Sequence, residues 1–397
     1  MEFDENQIEA VKKMHNGCIL CGNVGSGKSR TALAYYVLSM GGSFSANGRG
    51  KYRPMSEKRR LYIITTAKKR DDGEWLNECS PFSIEDVVID SWNNIKKYSN
   101  VYGAFFIFDE QRLVGSGVWV KAFFKIAKKN KWILLTATPG DTWKDYIPVF
   151  VANGFYRNKT EFLSIHAIYS RYAKYQKIEY VGIDTLEKHR AAVLVSLADN
   201  RKTVEHHKTI KVSWDKGKYM VVWRRRWDPY DDEPIAEPGK LFYLMRKVVN
   251  SDPSRIEALK DILRLHPKVI LFYSFDYELE AVKGLCGDID RPYAEWNGHV
   301  HEEIPKTDSW VYIVNYVAGA EGWNCIETDT MVFYSQTYSY KTLFQAAGRI
   351  NRRNTPFVDL WYYHLRSNAP IDIAILRALR EKEAFNESKF LGKAAKQ

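Results

Sequence analysis

Cysteine is scarce in this chain: Cys18, Cys21, Cys79, Cys286 and Cys325 are the only five in 397 residues. An odd, scattered set of thiols excludes a disulfide-stapled scaffold and suits a reducing compartment. Cys18 and Cys21 have the spacing of half a zinc site, yet no second Cys or His pair stands ready to complete it. Both are expected as buried thiols of a core strand. Long apolar runs are missing too, since none approaches the roughly 18 residues of a bilayer crossing. The segment Met1–Ala10 has no basic stretch followed by an apolar one, so no secretory leader is expected and a cytoplasmic location is. Low-complexity tracts, simple repeats and nuclease patterns are absent. The adjacent His206 and His207 need not converge on one ligand, and no metal is assigned to them.

What the chain has in plenty is apolar and basic residues. Hydrophobic residues make up 45% and aromatics 14%, enough to fill two domains of about 100–200 residues each. Lys and Arg number 59 against 48 Asp and Glu, a net charge of +11. A polyanion is the partner such an excess suggests, nucleic acid before membrane.

The first third alternates strands and helices. Short β-rich runs at Cys18–Leu20, Leu61–Thr65, Asp86–Ile89, Ala104–Phe108 and Trp132–Leu135 read as buried parallel strands. A second α/β pattern starts near Lys240, with strands expected at Val269–Tyr273, Trp310–Asn315, Thr330–Tyr334 and Phe357–Tyr362. Between them lies a stretch of aromatics interleaved with bases, including Trp223-Arg224-Arg225-Arg226-Trp227. Asp228–Gly239, with three prolines and several acids, reads as a linker. The expected division is a first lobe at 1–150, an accessory segment and linker at 151–239, a second lobe at 240–365 and a helical tail at 366–397.

Gly22-Asn23-Val24-Gly25-Ser26-Gly27-Lys28-Ser29 fits the phosphate-loop pattern, with an apolar strand before it and a good helix opening after it. Glycines let backbone N–H groups curl around phosphates, and the following helix points its positive end at them. Lys28 would reach the β- and γ-phosphates of ATP, and the Ser29 hydroxyl would take Mg²⁺. Phosphoryl transfer to water also needs a carboxylate for the metal and a group to position the water. The run Ala104–Phe108 ends in Asp109 and Glu110, which supply both: Asp109 for Mg²⁺ through its water shell, Glu110 for the attacking water.

With these residues in place, the chain resembles the superfamily 2 helicases and translocases, which include the DEAD/DEAH-box and Swi/Snf-type motors. Gln7 is similar to the glutamine that reads adenine in many of them. Asp109-Glu110-Gln111-Arg112 stands in the place of the DEAD or DEAH box, with Gln111 where Ala or His is usual. Thr136-Ala137-Thr138-Pro139 resembles the motif that couples the ATP site to nucleic acid. Gln345-Ala346-Ala347-Gly348-Arg349-Ile350-Asn351-Arg352 matches the sixth motif, in which Arg349 and Arg352 would cross to the ATP phosphates. Arginine suits that task through its planar, permanently charged fork. The resemblance implies an α/β fold of two tandem RecA-like domains, each a mostly parallel sheet flanked by helices, that close on one ATP. The small size and terse loops are similar to the stand-alone helicases of phage replication modules. Replication or recombination proteins would then be partners.

The same resemblance implies a nucleic-acid track over Thr66, Lys68, Lys69, Ser91, Trp92, Ser274, Gly319, Trp323 and Asn324. Lysines and hydroxyls hold phosphates and carry little sequence information. A tryptophan near the path would stack a base or act as a wedge. The expected activity is DNA-stimulated ATP hydrolysis coupled to unwinding or translocation on DNA. Duplex translocation without strand separation, RNA unwinding and a non-hydrolysing ATP-gated DNA-binding module stay open beside it.

Overall fold

Leu61–Thr65 and Phe105–Asp109 are continuous apolar runs, and in the computed structural model each is a strand buried at every position. Strands of that kind belong to parallel sheets covered on both faces. The structure describes residues 3–43, 53–57, 59–110, 113, 117–169, 178–198, 203–319, 325–352 and 354–391. It divides the chain into two units, one of Met1–Asn200 with Ala384–Gln397 and one of Arg201–Glu383.

In the first unit the strands are β1 (Ile19–Gly22), β2 (Leu61–Thr65), β3 (Val87–Ser91), β4 (Phe105–Asp109), β5 (Lys131–Thr136), β6 (Ala167–Tyr169), β7 (Ile178–Tyr180) and β8 (Leu194–Leu197). Six of them form one sheet in the order β3-β2-β4-β5-β1-β8, parallel throughout. β6 and β7 pair separately as an antiparallel ribbon. Alternate strand residues serve opposite faces, as the two-residue period dictates. Tyr62, Ile64, Phe106, Phe108, Trp132 and Leu134 join a core with the helices Val118–Ala127 and Trp143–Ala152. Leu61, Ile63, Phe105, Ile107, Ile133 and Leu135 join another with Ala10 and with Ala32–Ala34 of the helix Lys28–Ser39.

The second unit repeats the plan. Its strands are β9 (Val204–Lys211), β10 (Trp227–Asp228), β11 (Glu233–Pro234), β12 (Lys268–Tyr273), β13 (Tyr293–Trp296), β14 (Trp310–Asn315), β15 (Thr330–Phe333) and β16 (Asp359–Arg366). The six-stranded sheet runs β13-β14-β12-β15-β16-β9, again parallel throughout. Val269, Leu271 and Tyr273 face one core, Ile270 and Phe272 the other. A further cluster joins Tyr219, Leu241, Leu244 and Val248 to Ile371, Ile375 and Leu379 of the last helix, Pro370–Leu391. Both units are thus parallel α/β layers, the architecture expected from the sequence.

Within the segment 151–239, expected as an accessory piece and linker, β8 joins the first sheet by pairing with β1 and β9 joins the second by pairing with β16. The buried Asp228 carboxylate accepts from the N–H groups of Tyr230 and Asp231 at 2.9 and 3.3 Å and pairs with Lys240 at 2.8 Å. That turn closes the β10–β11 ribbon. Among the described residues no helix is long and apolar enough to cross a membrane. All five cysteines are free and buried, and burial pushes the Cys18 thiol up to about 12.

Candidate nucleotide site

In a parallel sheet all strands end at the same edge, and the loops leaving that edge are where α/β proteins bind ligands. Register brings the sequence motifs together there. Thr65 of β2 lies beside Ser91 of β3, Asp109 of β4 beside Leu135 of β5, and Thr136 of β5 beside Cys21 of β1.

The loop 22–29 leaves β1 and enters the helix Lys28–Ser39. Its N-cap, Gly27, has φ 85° and ψ 23° and supplies no side-chain cap, so the first-turn N–H groups of the helix open into the loop. A side chain there would be strained. Gly22 is required for a different reason: a Cβ on it would come 2.6 Å from Ser26 Oγ and 3.0 Å from Leu197 Cβ. The Gly27 carbonyl accepts from Thr31 N and Thr31 Oγ1, both at 3.0 Å, and from Gln7 Nε2 at 3.3 Å. Gln7 also closes a capping box with Asp4. Gln7, expected to read adenine, thus ties the first helix to the loop 22–29.

Lys28 Nζ turns inward and donates to the carbonyls of Gly22 and Asn23, both at 2.8 Å. Burial pulls its pKa down to about 8, against the opposing pull of the Glu110 and Asp109 charges. An ammonium held by carbonyls and partly robbed of its hydration could exchange them for the oxygens of an anion.

Asp109 is the best-anchored acid of the edge. Its Oδ2 accepts from Thr65 Oγ1 at 2.8 Å, Lys69 Nζ at 3.0 Å and Trp75 Nε1 at 3.1 Å, and its side chain is only 3% exposed. Its backbone carbonyl accepts from Trp92 Nε1 at 2.8 Å. Glu110 follows at φ 58°, a region that non-glycine residues rarely occupy and that costs on the order of 1–3 kcal/mol. Its Oε1 lies 3.3 Å from Lys69 Nζ. Burial works against the charge on Lys69, but Asp109 and Glu110 outweigh it and hold the ammonium above its ordinary range.

Lys69, expected on the nucleic-acid track, pairs with both acids of this edge. Trp92, expected to stack a base or wedge strands, is 2% exposed and packs on Phe108 at a ring separation of 5.6 Å. Ser91 is buried as well. The roles of Trp75 and Thr65 as donors to Asp109, and of Leu197 beneath the loop, are not legible in the sequence, because each contact joins elements far apart along the chain.

The other expected residues fall as follows. Thr66 caps the short helix Ala67–Asp71 and accepts from Lys69 N at 3.3 Å, and Lys68 and Ser29 are half-buried. Thr136 Oγ1 donates to the Thr138 carbonyl at 3.0 Å and accepts from Thr138 N at 3.1 Å, a tight loop at the end of β5. The buried Thr138 Oγ1 has no hydrogen-bond partner among the described residues. In the second unit, Ser274 accepts from Arg246 Nη2 at 3.2 Å and from Ser335 Oγ at 3.1 Å, and Gly319 is buried against Val314. Gln345 is buried on the helix Tyr340–Ala347, and Arg349, buried, and Arg352, half-buried, follow it in a loop whose Asn351 bonds Glu205 of β9 and Thr203 just before it. Asn23, Val24, Gly25 and Ala137 keep their places in their loops. Gln111, Trp323 and Asn324 lie outside the described residues.

The donor set suits Mg²⁺ and a polyphosphate. Asp109 and Ser29 offer the hard oxygens that magnesium takes. The loop offers N–H groups, a left-handed glycine cap and a lysine bonded to carbonyls. No known protein family and no curated protein matches the chain in sequence. Among solved structures, the chain is similar to the SWI2/SNF2 ATPase core of Sulfolobus solfataricus in complex with dsDNA. The identity is 14%, over 97% of this chain and 92% of that one, with a TM-score of 0.42. Values that low do not bear on the reading of the site.

Proposed function

We propose that the chain is an ATP-driven translocase on DNA. The observation that carries this reading is the meeting of Lys28, held by the loop carbonyls, with the Asp109–Glu110 pair at one edge of a parallel sheet. A binding loop alone would serve a nucleotide-gated module, whereas the anchored Asp109 and the adjacent Glu110 add the groups that hydrolysis requires. Bound magnesium would neutralise charge developing on the transferred phosphoryl group. Lys28 would hold the phosphates, and Glu110 would accept the proton of the attacking water. Translocation is favoured over strand separation because the buried Trp92 is withdrawn from wedge duty. The basic excess favours a nucleic-acid track, and DNA is the proposed polymer.

The discriminating experiment measures phosphate release with duplex DNA, single-stranded DNA and RNA, beside triplex displacement and strand displacement. Duplex-stimulated release with triplex displacement and no unwinding is the expected pattern; unwinding of a forked duplex would restore the helicase reading. Glu110→Gln should lower stimulated turnover about 10²-fold or more, within the range of general-base losses, while nucleotide binding persists. Arg352→Ala tests the sixth-motif arginines: hydrolysis should fall roughly 10³-fold with DNA affinity unchanged. Lost binding with normal turnover of the remaining complex would remove Arg352 from that role.

Nucleotide affinity should also depend on pH with a definite sign. Free Lys28 titrates near 8, and polyphosphate stabilises its charged form. Binding then takes up a proton wherever free Lys28 is neutral, so affinity falls as pH rises above about 8. Calorimetry in buffers of different ionisation heat reads that proton directly. No uptake at pH 9 would show that Lys28 does not meet the phosphates.

A further inference from the structure

At the C-terminal end of β9 and β16 the second unit holds a cavity of about 580 Å³. Four cations line it: Lys211, Lys216, Arg366 and Arg380. Two of these are direct cross-strand partners, since Arg366 of β16 is in register with Lys211 of β9. Like charges placed opposite one another disfavour a sheet pair; Arg366 Nη2 is turned to Gln336 Oε1 at 3.1 Å, and Lys211 adds its charge beside it. One carboxylate lines the cavity, that of Asp372, and it is already committed. Its Oδ2 accepts from Arg255 Nη2 at 3.1 Å, Ser367 N at 2.9 Å and Ser367 Oγ at 2.8 Å, with Arg255 itself 1% exposed. Among the described residues no carboxylate pairs with Lys211, Lys216 or Arg380. The wall also includes Trp214, whose ring is fixed by an Nε1 bond to Asn368 Oδ1 at 2.7 Å and an edge contact with Tyr219. Arg380 shares one face of the last helix with Ile373 and Leu376, by their spacing.

We propose that this cavity is a second phosphate site, separate from the glycine-rich loop, and that it takes a nucleotide. Lys211, Lys216 and Arg380 hold the phosphate and Trp214 meets the base. Cations without acidic partners, an aromatic wall and a volume within the usual range of about 300–1,000 Å³ for small-ligand sites all suit that chemistry. The nucleotide is either free or part of a DNA strand. The inference does not depend on how the glycine-rich loop is read.

The test uses the full chain carrying Lys28→Ala, which silences the loop. Two probes are titrated, a fluorescent ADP analogue and a fluorescein-labelled oligodeoxythymidylate. Lys211→Glu with Arg380→Glu should weaken one probe roughly tenfold or more and, for the oligonucleotide, flatten the salt dependence by about two phosphate contacts. The probe that weakens names the source of the phosphate. A charge-matched control, Lys97→Glu with Lys306→Glu at exposed positions, should change neither probe beyond about twofold. The conservative pair Lys211→Arg with Arg380→Lys should bind as the parent does. Equal losses in the cavity and control pairs, no loss in either, or loss in the conservative pair would each overturn the proposal.

Discussion

Replacing Lys28 with alanine should abolish measurable ATP hydrolysis and weaken nucleotide binding about 10²-fold, while the chain melts at or slightly above its original temperature. The two halves of that expectation come from one geometry. Lys28 bonds to two loop carbonyls and, among the described residues, to no carboxylate, so in the nucleotide-free protein burial penalises its charge and outweighs the nearby acids. Its depressed pKa states that it costs stability at neutral pH, where folded and unfolded forms both carry the proton. Removing it costs little in folding and everything in phosphate recognition, where a point charge opposes the γ-phosphate. Phosphate-release assays and thermal melting read both quantities. Unchanged hydrolysis would mean that the loop 22–29 is not the reaction site.

The opposite balance is expected at Lys69. Replacement by methionine leaves Asp109, 3% exposed, and Glu110 without the cation that separates them. Thr65 and Trp75 still donate to Asp109, but neutral donors do not offset a buried carboxylate beside a second one. The loss should be about 2–4 kcal/mol, near the lower end for a broken buried ion pair. In a unit of this size that lowers the melting temperature by roughly 5–10 °C. Magnesium gives the decisive readout. If the acid pair is a metal site, Mg²⁺ should raise the melting temperature of Lys69→Met more than that of the parent, since metal and ammonium compete for the same oxygens. Adding Asp109→Asn to Lys69→Met should recover much of the stability and erase the magnesium effect. A variant as stable as the parent would show that Lys69 does not carry the charge balance of this edge.

Much of this edge is legible in the amino-acid sequence. β2 and β14 span the expected residues, β4 is shifted one residue on from Ala104–Phe108, and β5 is one residue longer at each end than Trp132–Leu135. Continuous apolar runs bounded by charges admit few other structures. The loop 22–29 and the Asp109–Glu110 pair stand out because their chemistry is written in consecutive residues. Lys69 does not, because its partners lie 40 and 41 residues further on and nothing local distinguishes it from Lys68. Trp92 is ambiguous for a related reason: a tryptophan after a strand looks the same whether its N–H meets a base or the Asp109 carbonyl. β8 is hidden because Leu194–Leu197 is four residues long, too short for a two-residue period to stand out from the end of a helix. Its neighbour in sequence, β9, is mostly exposed and carries polar residues on both faces, a pattern without the apolar run that marks the other strands.

The pairing of β8 with β1 has a consequence for how the protein is made. Gly22 sits against Leu197, so the phosphate loop rests on a strand that leaves the ribosome long after the loop itself. A nascent chain that has emerged as far as residue 150 holds every signature of the loop but not the edge strand that supports it. Such an intermediate exposes the unpaired side of β1, a template for pairing with other chains. Nucleotide competence should therefore appear late and abruptly along a series of arrested chains, with the passage of Leu197 and not with that of Ser29.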